Sequence, residues 1–365
     1  MNRDLESSST ANVGTGSSRG FGRAVAGSLV IGALVASAMA LHGMRMGTGA
    51  GSASAQPPTA TPDTRVPQTP RGAGVLAPRL LRVLPWGAGE AEVGHTTSEE
   101  SAAFAPNTAI TDTSGTLHVL DIVNQRILRV GPNGEKLGAT PLPTKSAVDL
   151  LLAPRGGYLV LDSLVAGEVS LLTLDGHVSR AFPVASPSHP EASLATGLFV
   201  HLDDVYVEHG HTRLERVGGL RQDHGPGGVD GRFVSVDATV SLELQRPSTV
   251  LLERHALGAP GVRLAELQLA DRVESVVGLE SAPGGSMVLA AHTTAPPRPG
   301  TTEIVDDAYV IIVLGADGRE RARTVIPLAG RPEEIFRPVR VGADGQAVVL
   351  VARAEGLAVY GIDLR

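Results

Sequence analysis

Short apolar segments alternate with tight turns along most of the chain. After residue 78 the apolar segments are rich in Val, Leu and Ile, and six of them follow a short turn, which in five cases consists of small or polar residues. These turns are Ser114-Gly115, Gly156-Gly157, Leu202-Asp203, Pro247-Ser248, Gly284-Gly285 and Asp344-Gly345. Their second residues are 42, 46, 45, 37 and 60 residues apart. A period of about 40–50 residues built from short strands is typical of β-propeller blades.

A second set of turns supports the same spacing. Asn133-Gly134, Asp175-Gly176 and Asp317-Gly318 each lie between two strand-like segments. Asn-Gly and Asp-Gly are strong hairpin signals, because both central residues tolerate positive φ. The pattern therefore predicts an all-β fold, a six-bladed β-propeller of four-stranded antiparallel blades. Five or seven blades remain as alternatives, since the spacing is least regular between residues 221 and 270.

The two ends of this region look complementary. A lone strand-like segment, Pro78 to Leu84, precedes the first unit, and the last unit ends at residue 365 without a fourth strand. We expect the first segment to complete the last blade, because this removes the open edge of the sheet.

The N-terminal part has a different composition. We expect residues 1–23 to be a cytoplasmic tail or the n-region of a signal sequence. Residues 24–41 are uncharged and predict a hydrophobic helix of a length close to the lower limit for crossing a bilayer. It is either an uncleaved signal anchor or a signal peptide cut near Ala38 or Ala40. Residues 42–78 are rich in Pro, Gly and Thr and predict a disordered linker. In both alternatives, residues 79–365, the propeller domain, are extracytoplasmic, and the localisation is the cell membrane or a secreted or periplasmic pool.

Composition removes several classes of function. The chain has no Cys, a net charge of -7 and only 3% aromatic residues. Disulfides and Cys-ligated zinc are therefore excluded. An acidic chain with few aromatic side chains is not suited to nucleic acid, and we expect no nucleic-acid partner. We also expect a monomer and no cofactor.

The stretch from Gly115 to Val130 carries the most specific motif. It has Gly115, Val119, Asp121, Asn124, Arg126, Ile127 and Val130 in the spacing of one NHL repeat. The chain therefore resembles the NHL-repeat family of β-propellers, with a partial second match at residues 157–172 that retains Asp162. The resemblance implies a propeller that binds proteins or nucleic acid, and a few relatives are metal-dependent lyases. Asp and Asn bond readily to nearby backbone, and Arg126 can pair with Asp121, so we interpret the motif as a clasp between strands.

Two further groups of polar residues are candidates for a site. Glu208, His209, His211, Asp223 and His224 form a candidate ligand loop, which competes with a simple solvated loop. A channel enzyme would instead need polar residues from several inner strands to converge at one point on the axis. The candidates for that role are Asp149, His201, Glu243 and Glu280, but their offsets from the turns do not agree.

Together these features predict an exported bacterial protein, tethered through residues 24–41, whose propeller is a scaffold for binding a protein or a small ligand. The alternative is a metal-dependent propeller enzyme of the lyase or lactonase type. We assign no catalytic residue and no metal ligand from the sequence.

Overall fold

The structure is a computed structural model that describes residues 74–97, 103–187, 189–222, 225, 227–245, 247–295, 307–328 and 335–365. The predicted tail, the hydrophobic helix and nearly all of the linker lie outside these residues. Within the described part of the chain, no helix has the length and apolar character needed to cross a membrane.

Two strands precede the first blade. They are β1 (Gly74–Val75) and β2 (Arg79–Pro85). The first blade contains β3 (Ala109–Thr111), β4 (Leu117–Asp121), β5 (Arg126–Val130) and β6 (Lys136–Pro141). The second contains β7 (Asp149–Leu152), β8 (Tyr158–Asp162), β9 (Glu168–Leu172) and β10 (Val178–Pro183). Each is an antiparallel meander with its strands in chain order.

The next two blades repeat this order. The third contains β11 (Ala195–His201), β12 (Asp204–His209), β13 (Arg213–Gly219) and β14 (Gly227–Asp230). The fourth contains β15 (Arg232–Ser235), β16 (Ala238–Gln245), β17 (Thr249–Ala256) and β18 (Val262–Gln268). Pro247-Ser248 lies between β16 and β17, so its assignment to the first class of turn was wrong. Val236-Asp237, between β15 and β16, occupies that place.

The fifth and sixth blades complete the ring. The fifth contains β19 (Arg272–Ala282), β20 (Ser286–Thr294), β21 (Asp307–Leu314) and β22 (Glu320–Pro327). The sixth contains β23 (Val339–Val341), β24 (Gln346–Arg353) and β25 (Gly356–Asp363). The prediction of six four-stranded antiparallel blades is confirmed over the described residues.

The ring closes as the sequence predicts. β2 pairs antiparallel with β25, from Arg79 opposite Gly361 to Pro85 opposite Gly356, and so provides the fourth strand of the last blade. Upstream of it, β1 pairs in parallel with the outer strand β22 of the fifth blade. The described chain therefore joins a sheet before residue 79, within the segment assigned to the linker.

The two sides of the ring differ in the connections that they carry. We call one side the turn face; it holds the turns between the first and second strands and between the third and fourth strands of each blade. The other side is the connection face, with the turns between second and third strands and the links from blade to blade. Because each blade is covered by a neighbour on both sides, central strands such as β4 and β8 are buried along their whole length.

Candidate functional site

The first strand of each blade lies nearest the axis of the ring. β23 contacts β3 on one side and β19 on the other, and β7 contacts both β3 and β11. Side chains that point inward from these strands meet at the centre. This position is the usual place for a ligand in a propeller with an open channel.

In this protein the centre is filled by charged side chains. We call this group the axial cluster: Asp149, Glu208, Arg232, Glu280, Arg337 and Arg340. All six are buried. They come from five blades, since Asp149 begins β7, Glu208 lies on β12, Arg232 begins β15, Glu280 lies on β19, and the last two arginines belong to the sixth blade. Three carboxylates and three guanidinium groups give the cluster no net charge.

Glu208 pairs with two arginines. Arg232 Nη2 donates to Glu208 Oε2 at 2.7 Å, and Arg232 Nε contacts the other carboxylate oxygen. Arg337 Nη1 donates to Glu208 Oε2 at 2.8 Å. Burial alone would raise the pKa of Glu208, but the neighbouring positive charges hold it well below its ordinary value. This carboxylate is therefore ionised, and both of its oxygens contact a guanidinium group.

Glu280 connects all three arginines. Its Oε1 accepts from Arg337 Nη2 at 2.8 Å and from Arg340 Nη1 at 3.0 Å. Arg232 Nη1 lies 2.9 Å from the same oxygen. Burial would raise the pKa of Glu280, yet Arg340, Arg232 and Arg337 lower it from 4.5 to about 2. A carboxyl group with that pKa cannot serve as a general acid near neutral pH.

Asp149 fixes the cluster to the backbone. Its two oxygens accept from the backbone N–H of Leu198 at 2.7 Å and of Leu150 at 2.8 Å. Arg340 Nη2 is 3.5 Å from Oδ1, and Arg337 Nε is 3.7 Å from Oδ2. Asp149 thus links the inner strands of the second, third and sixth blades.

A strained residue covers the cluster on the connection face. His211, in the turn between β12 and β13, has φ of 95°, in a region that disfavours residues other than Gly. One of its ring nitrogens is 3.0 Å from the carbonyl oxygen of Val276 on β19, and the other is 3.4 Å from Glu208 Oε1. The turn of the third blade therefore reaches across the centre to the fifth blade.

The structure brings together only part of what the sequence suggested for the axis. Asp149 and Glu280 do converge, so the expectation drawn from their offsets was wrong for this pair. His201 instead stacks on Phe233, with ring centroids 3.7 Å apart, and burial lowers its pKa. Glu243 is exposed on β16.

The candidate ligand loop is divided between different sites. Glu208 and His211 belong to the axial region, as described above. His209 ends β12 and lies near His189 and Glu215 instead. Asp223 and His224 lie outside the described residues. Among the residues that the structure describes, the loop therefore does not form a single site.

The residues of the NHL-like motif contact each other and the preceding segment. Asp121 accepts from Asn124 Nδ2 at 2.8 Å, from Arg126 Nε at 3.1 Å and from the backbone N–H of Gly94 at 2.9 Å. Arg126 Nη2 also donates to the carbonyl oxygens of Gly89 and Glu92 at 2.8 and 2.7 Å. These contacts tie the β4–β5 turn to the segment that follows β2.

Asp162 has an equivalent place in the second blade. It ends β8 and accepts from the hydroxyls of Thr144 and Ser146, the latter at 2.7 Å, and from the backbone N–H of Val165 at 2.9 Å. Burial would raise its pKa, but these hydrogen bonds lower it. The acidic residue thus ties its own turn to the incoming connection, as Asp121 does.

The turn face carries exposed apolar side chains on neighbouring blades. Leu202 is 75% exposed in the β11–β12 turn and Val236 is 68% exposed in the β15–β16 turn. The backbone of Val236 contacts the His201 side chain, which places these two turns next to each other. Leu202 has φ of 56°, a left-handed conformation that is unfavourable for Leu. Leu174 and Leu257 are also exposed in turns on this face.

Sequence reasoning missed the three arginines of the axial cluster, as well as His189 and Glu215. Arg232 follows Gly231 at the start of a short strand, and Arg337 and Arg340 flank Pro338. An Arg at the start of an inner strand is the only signal that could have identified Arg232. Nothing local distinguishes the other four from surface residues.

The sequence matches no protein-family model and no curated protein sequence. Several solved structures are similar in fold. A member of the DUF4221 family from Bacteroides vulgatus is 11% identical, with 79% of this chain and 98% of that chain covered and a TM-score of 0.47. Virginiamycin B lyase from Staphylococcus aureus is 11% identical, with 71% and 95% covered and a TM-score of 0.40. U3-55K is 10% identical, with 74% and 98% covered and a TM-score of 0.47.

The class of protein follows from the strand order. The six meanders, the first strands arranged around one axis and the closure by β2 define a six-bladed β-propeller.

Proposed function

We propose that this protein is an exported, membrane-tethered scaffold that binds a protein partner through the turn face of its propeller. The observation that carries the proposal is the axial cluster. Its carboxylates are buried and paired with guanidinium groups, so the centre of the ring is occupied by the protein's own side chains. A ligand at the axis would have to break these pairs, which is costly in a buried site.

The turn face offers a better place for a partner. Leu202 and Val236 are exposed apolar side chains on adjacent turns, and both belong to a rigid scaffold. Loops on rigid scaffolds often carry binding. Leu202 also has an unfavourable backbone conformation. Residues in such conformations cluster at functional sites, which supports a role for this turn in binding. Exposed turn tips suit a protein surface better than a small ligand, which favours concave pockets.

The alternative function is a metal-dependent propeller enzyme with chemistry in the channel. Asp149 and Glu280 do converge from inner strands, which is the feature that this alternative requires. However, Glu280 has a pKa of about 2 and contacts three arginines, so it suits neither proton transfer nor cation binding. The scaffold is therefore the better supported function.

The relationship to NHL-repeat propellers remains part of the proposal. Its support is the set of contacts among Asp121, Asn124 and Arg126, whose identities and spacing match that repeat. Asp162 repeats the acidic position in the second blade.

A photo-crosslinking amino acid at Val236 in the full chain tests the proposed binding face. We expect a discrete adduct with another protein in native cells, and we expect Leu202→Asp in the same chain to reduce it. The matched control places the same amino acid at Val165, which is also 68% exposed but lies in the β8–β9 turn on the connection face. Equal adducts from both positions, or an adduct from Val165 alone, would contradict the proposal.

The proposed tether through residues 24–41 has its own test. We expect the full chain to sediment with membranes, to resist alkaline carbonate and to be degraded by protease added outside the cytoplasmic membrane. Deletion of residues 24–41 should leave the chain in the cytosol. A mature N-terminus just after Ala38 or Ala40 would show a cleaved signal peptide instead.

A further inference from the structure

A second group of polar side chains lies between the second and third blades, on the connection face. It consists of His189, His209 and Glu215, which we call the histidine cluster. His189 belongs to the link between β10 and β11, His209 ends β12, and Glu215 lies on β13. One nitrogen or oxygen atom from each residue lies within 4.8 Å of the others. Three elements thus bring together two imidazoles and a carboxylate.

Strand register places two of these residues on one side of the blade. Glu215 lies opposite Val207, and Val207 and His209 are two residues apart on β12. Residues two apart on a strand point to the same side. Val207 packs into the core between the second and third blades, so His209 and Glu215 also point towards the second blade. Glu208, between Val207 and His209 in sequence, points the other way into the axial cluster.

The third residue is held in place by its own turn. Ser186 and His189 exchange two backbone hydrogen bonds, at 2.9 and 3.1 Å. The Ser186 hydroxyl donates to Glu215 Oε1 at 2.7 Å. The other carboxylate oxygen, Oε2, contacts His189 Nδ1 and is 3.7 Å from His209 Nε2. A hydrogen bond that orients a carboxylate in this way is a regular feature of metal sites.

The imidazole of His209 lies against the other two members of the histidine cluster. Its side chain is 10% exposed, and its Nε2 atom is 3.7 Å from Glu215 Oε2, which is too long for a hydrogen bond. The backbone of Leu194 also interacts with the ring. The His189 and His209 rings stack nearly parallel, with centroids 4.2 Å apart. One nitrogen of each ring therefore lies near the same carboxylate oxygen, Glu215 Oε2.

We propose that the histidine cluster binds Zn²⁺ through His189 Nδ1, His209 Nε2 and Glu215 Oε2. Two imidazoles and a carboxylate form a ligand set that zinc uses when a fourth position stays open. Calcium and magnesium prefer sites made of oxygen atoms, so they fit this set poorly. Tetrahedral coordination at bond lengths of about 2.1 Å puts ligand atoms about 3.4 Å apart. The 3.7 Å between His209 Nε2 and Glu215 Oε2 is close to that value.

Binding requires one movement. A nitrogen lone pair lies in the plane of its ring, so two stacked parallel rings cannot both point at one ion. His189 is the side chain that has room to turn, because it is 25% exposed and lies in a link outside the strands. The ion would join the second blade's outgoing link to two strands of the third blade.

Zinc titration of the full chain, after chelator treatment and dialysis, tests the proposal. Calorimetry should give one Zn²⁺ per chain, and Zn²⁺ should raise the melting temperature. His189→Ala, His209→Ala and Glu215→Gln should each weaken binding by at least tenfold. Ser186→Ala keeps all three ligands, and we expect a smaller loss, because it removes only the bond that orients Glu215.

Two control variants identify the site. His177→Ala removes an exposed histidine on the turn face, and His211→Ala removes the partly buried histidine next to Glu208. Neither should change zinc affinity. Circular dichroism establishes that each variant is folded, and Co²⁺ in place of Zn²⁺ should give the visible absorption of a tetrahedral site only in chains that keep the cluster. No saturable binding, or binding that His189→Ala and Ser186→Ala leave unchanged, would overturn the proposal.

Discussion

Among single residues, Gly197 is essential to the axial cluster because it has no side chain. A Cβ atom built on Gly197 would lie 1.9 Å from Arg337 Nη1 and 3.2 Å from Asp149 Oδ2. Gly197 pairs with Glu208 across the β11–β12 ladder, and the Arg337 guanidinium lies in the space above it. Only Gly at this position lets an arginine from the sixth blade reach a carboxylate on the third.

Replacing Gly197 tests whether the Arg337 guanidinium lies directly against its backbone. Gly197→Ala should reduce the free energy of unfolding by about 2–3 kcal/mol, because the methyl group displaces a buried guanidinium. Gly278→Ala is the matched control on inner strand β19, where a Cβ would find ordinary contacts at 3.6 Å or more. We expect the control to change stability by less than about 1 kcal/mol. Chemical denaturation measures both, and equal losses would contradict the assigned geometry.

Leu202 offers a second test at this scale. Asn tolerates the left-handed conformation better than Leu, so Leu202→Asn should leave stability unchanged or raise it by about 1 kcal/mol. The same change should weaken the adduct formed from a crosslinker at Val236. A melting curve and the crosslinking yield give the two readouts. A clear loss of stability would show that the Leu202 side chain supports the fold rather than a partner.

At the scale of elements, acidic residues at strand ends join each early blade to the connection that enters it. Asp121 and Asp162 each end the second strand of a blade and bind both their own turn and the preceding segment. Gly94 approaches closely enough that a Cβ there would lie 2.4 Å from the Val123 side chain. The motif therefore holds in place the segment that follows the closing strand β2.

Removal of this acidic side chain should loosen the link. Asp121→Ala leaves Arg126 without its carboxylate, and we expect a loss of about 3 kcal/mol. Amide hydrogen exchange should show the loss most strongly at Gly94, whose N–H bonds to Asp121. Asp175→Ala, at an exposed turn, is the control and should have little effect on either measurement. Unchanged protection at Gly94 would show that the contact does not hold the link.

The strands and turns were largely predictable from the sequence, because they depend on local signals. The Asn-Gly and Asp-Gly turns identified third-to-fourth strand hairpins at Gly134, Gly176 and Gly318, and the segment ending at Leu84 pairs as expected. The error in the fourth blade has a physical reason. Ser248 lies 45 residues after Asp203, which fits the expected period, whereas the equivalent first turn, Val236-Asp237, comes earlier in the chain and continues a β-rich segment.

At the scale of the whole molecule, the axial cluster joins blades that are far apart in the sequence. Arg337 contacts groups on the second, third and fifth blades, and its backbone N–H bonds to the Asn107 carbonyl at the entrance to the first. These partners are separated by up to 230 residues in sequence, so no local pattern reveals them. Only the closed ring brings them together. Sequence reasoning named all three carboxylates, Asp149 and Glu280 for the axis and Glu208 for a separate loop, but none of the arginines.

This arrangement predicts how stability depends on pH. Glu280 titrates at about 2 in the folded protein and at 4.5 when exposed, and Arg232, Arg337 and Arg340 face it. Its stabilising contribution is complete above pH 4.5 and is lost as the pH falls towards 2. One pKa unit corresponds to about 1.4 kcal/mol, so the loss is on the order of 3 kcal/mol. Denaturant unfolding at a series of pH values measures it, and a flat profile below pH 4.5 would contradict the pairing.

The stability of Glu280→Gln at neutral pH distinguishes an axial cluster that holds the blades together from one that serves a reaction. The substitution leaves three buried guanidinium groups against two carboxylates. We predict a loss of about 3–5 kcal/mol in the free energy of unfolding, while Glu243→Gln on the surface changes little. Catalytic carboxylates often cost stability, so removing one commonly stabilises a protein. An unchanged or increased free energy of unfolding for Glu280→Gln would show that the axial cluster does not hold the blades together.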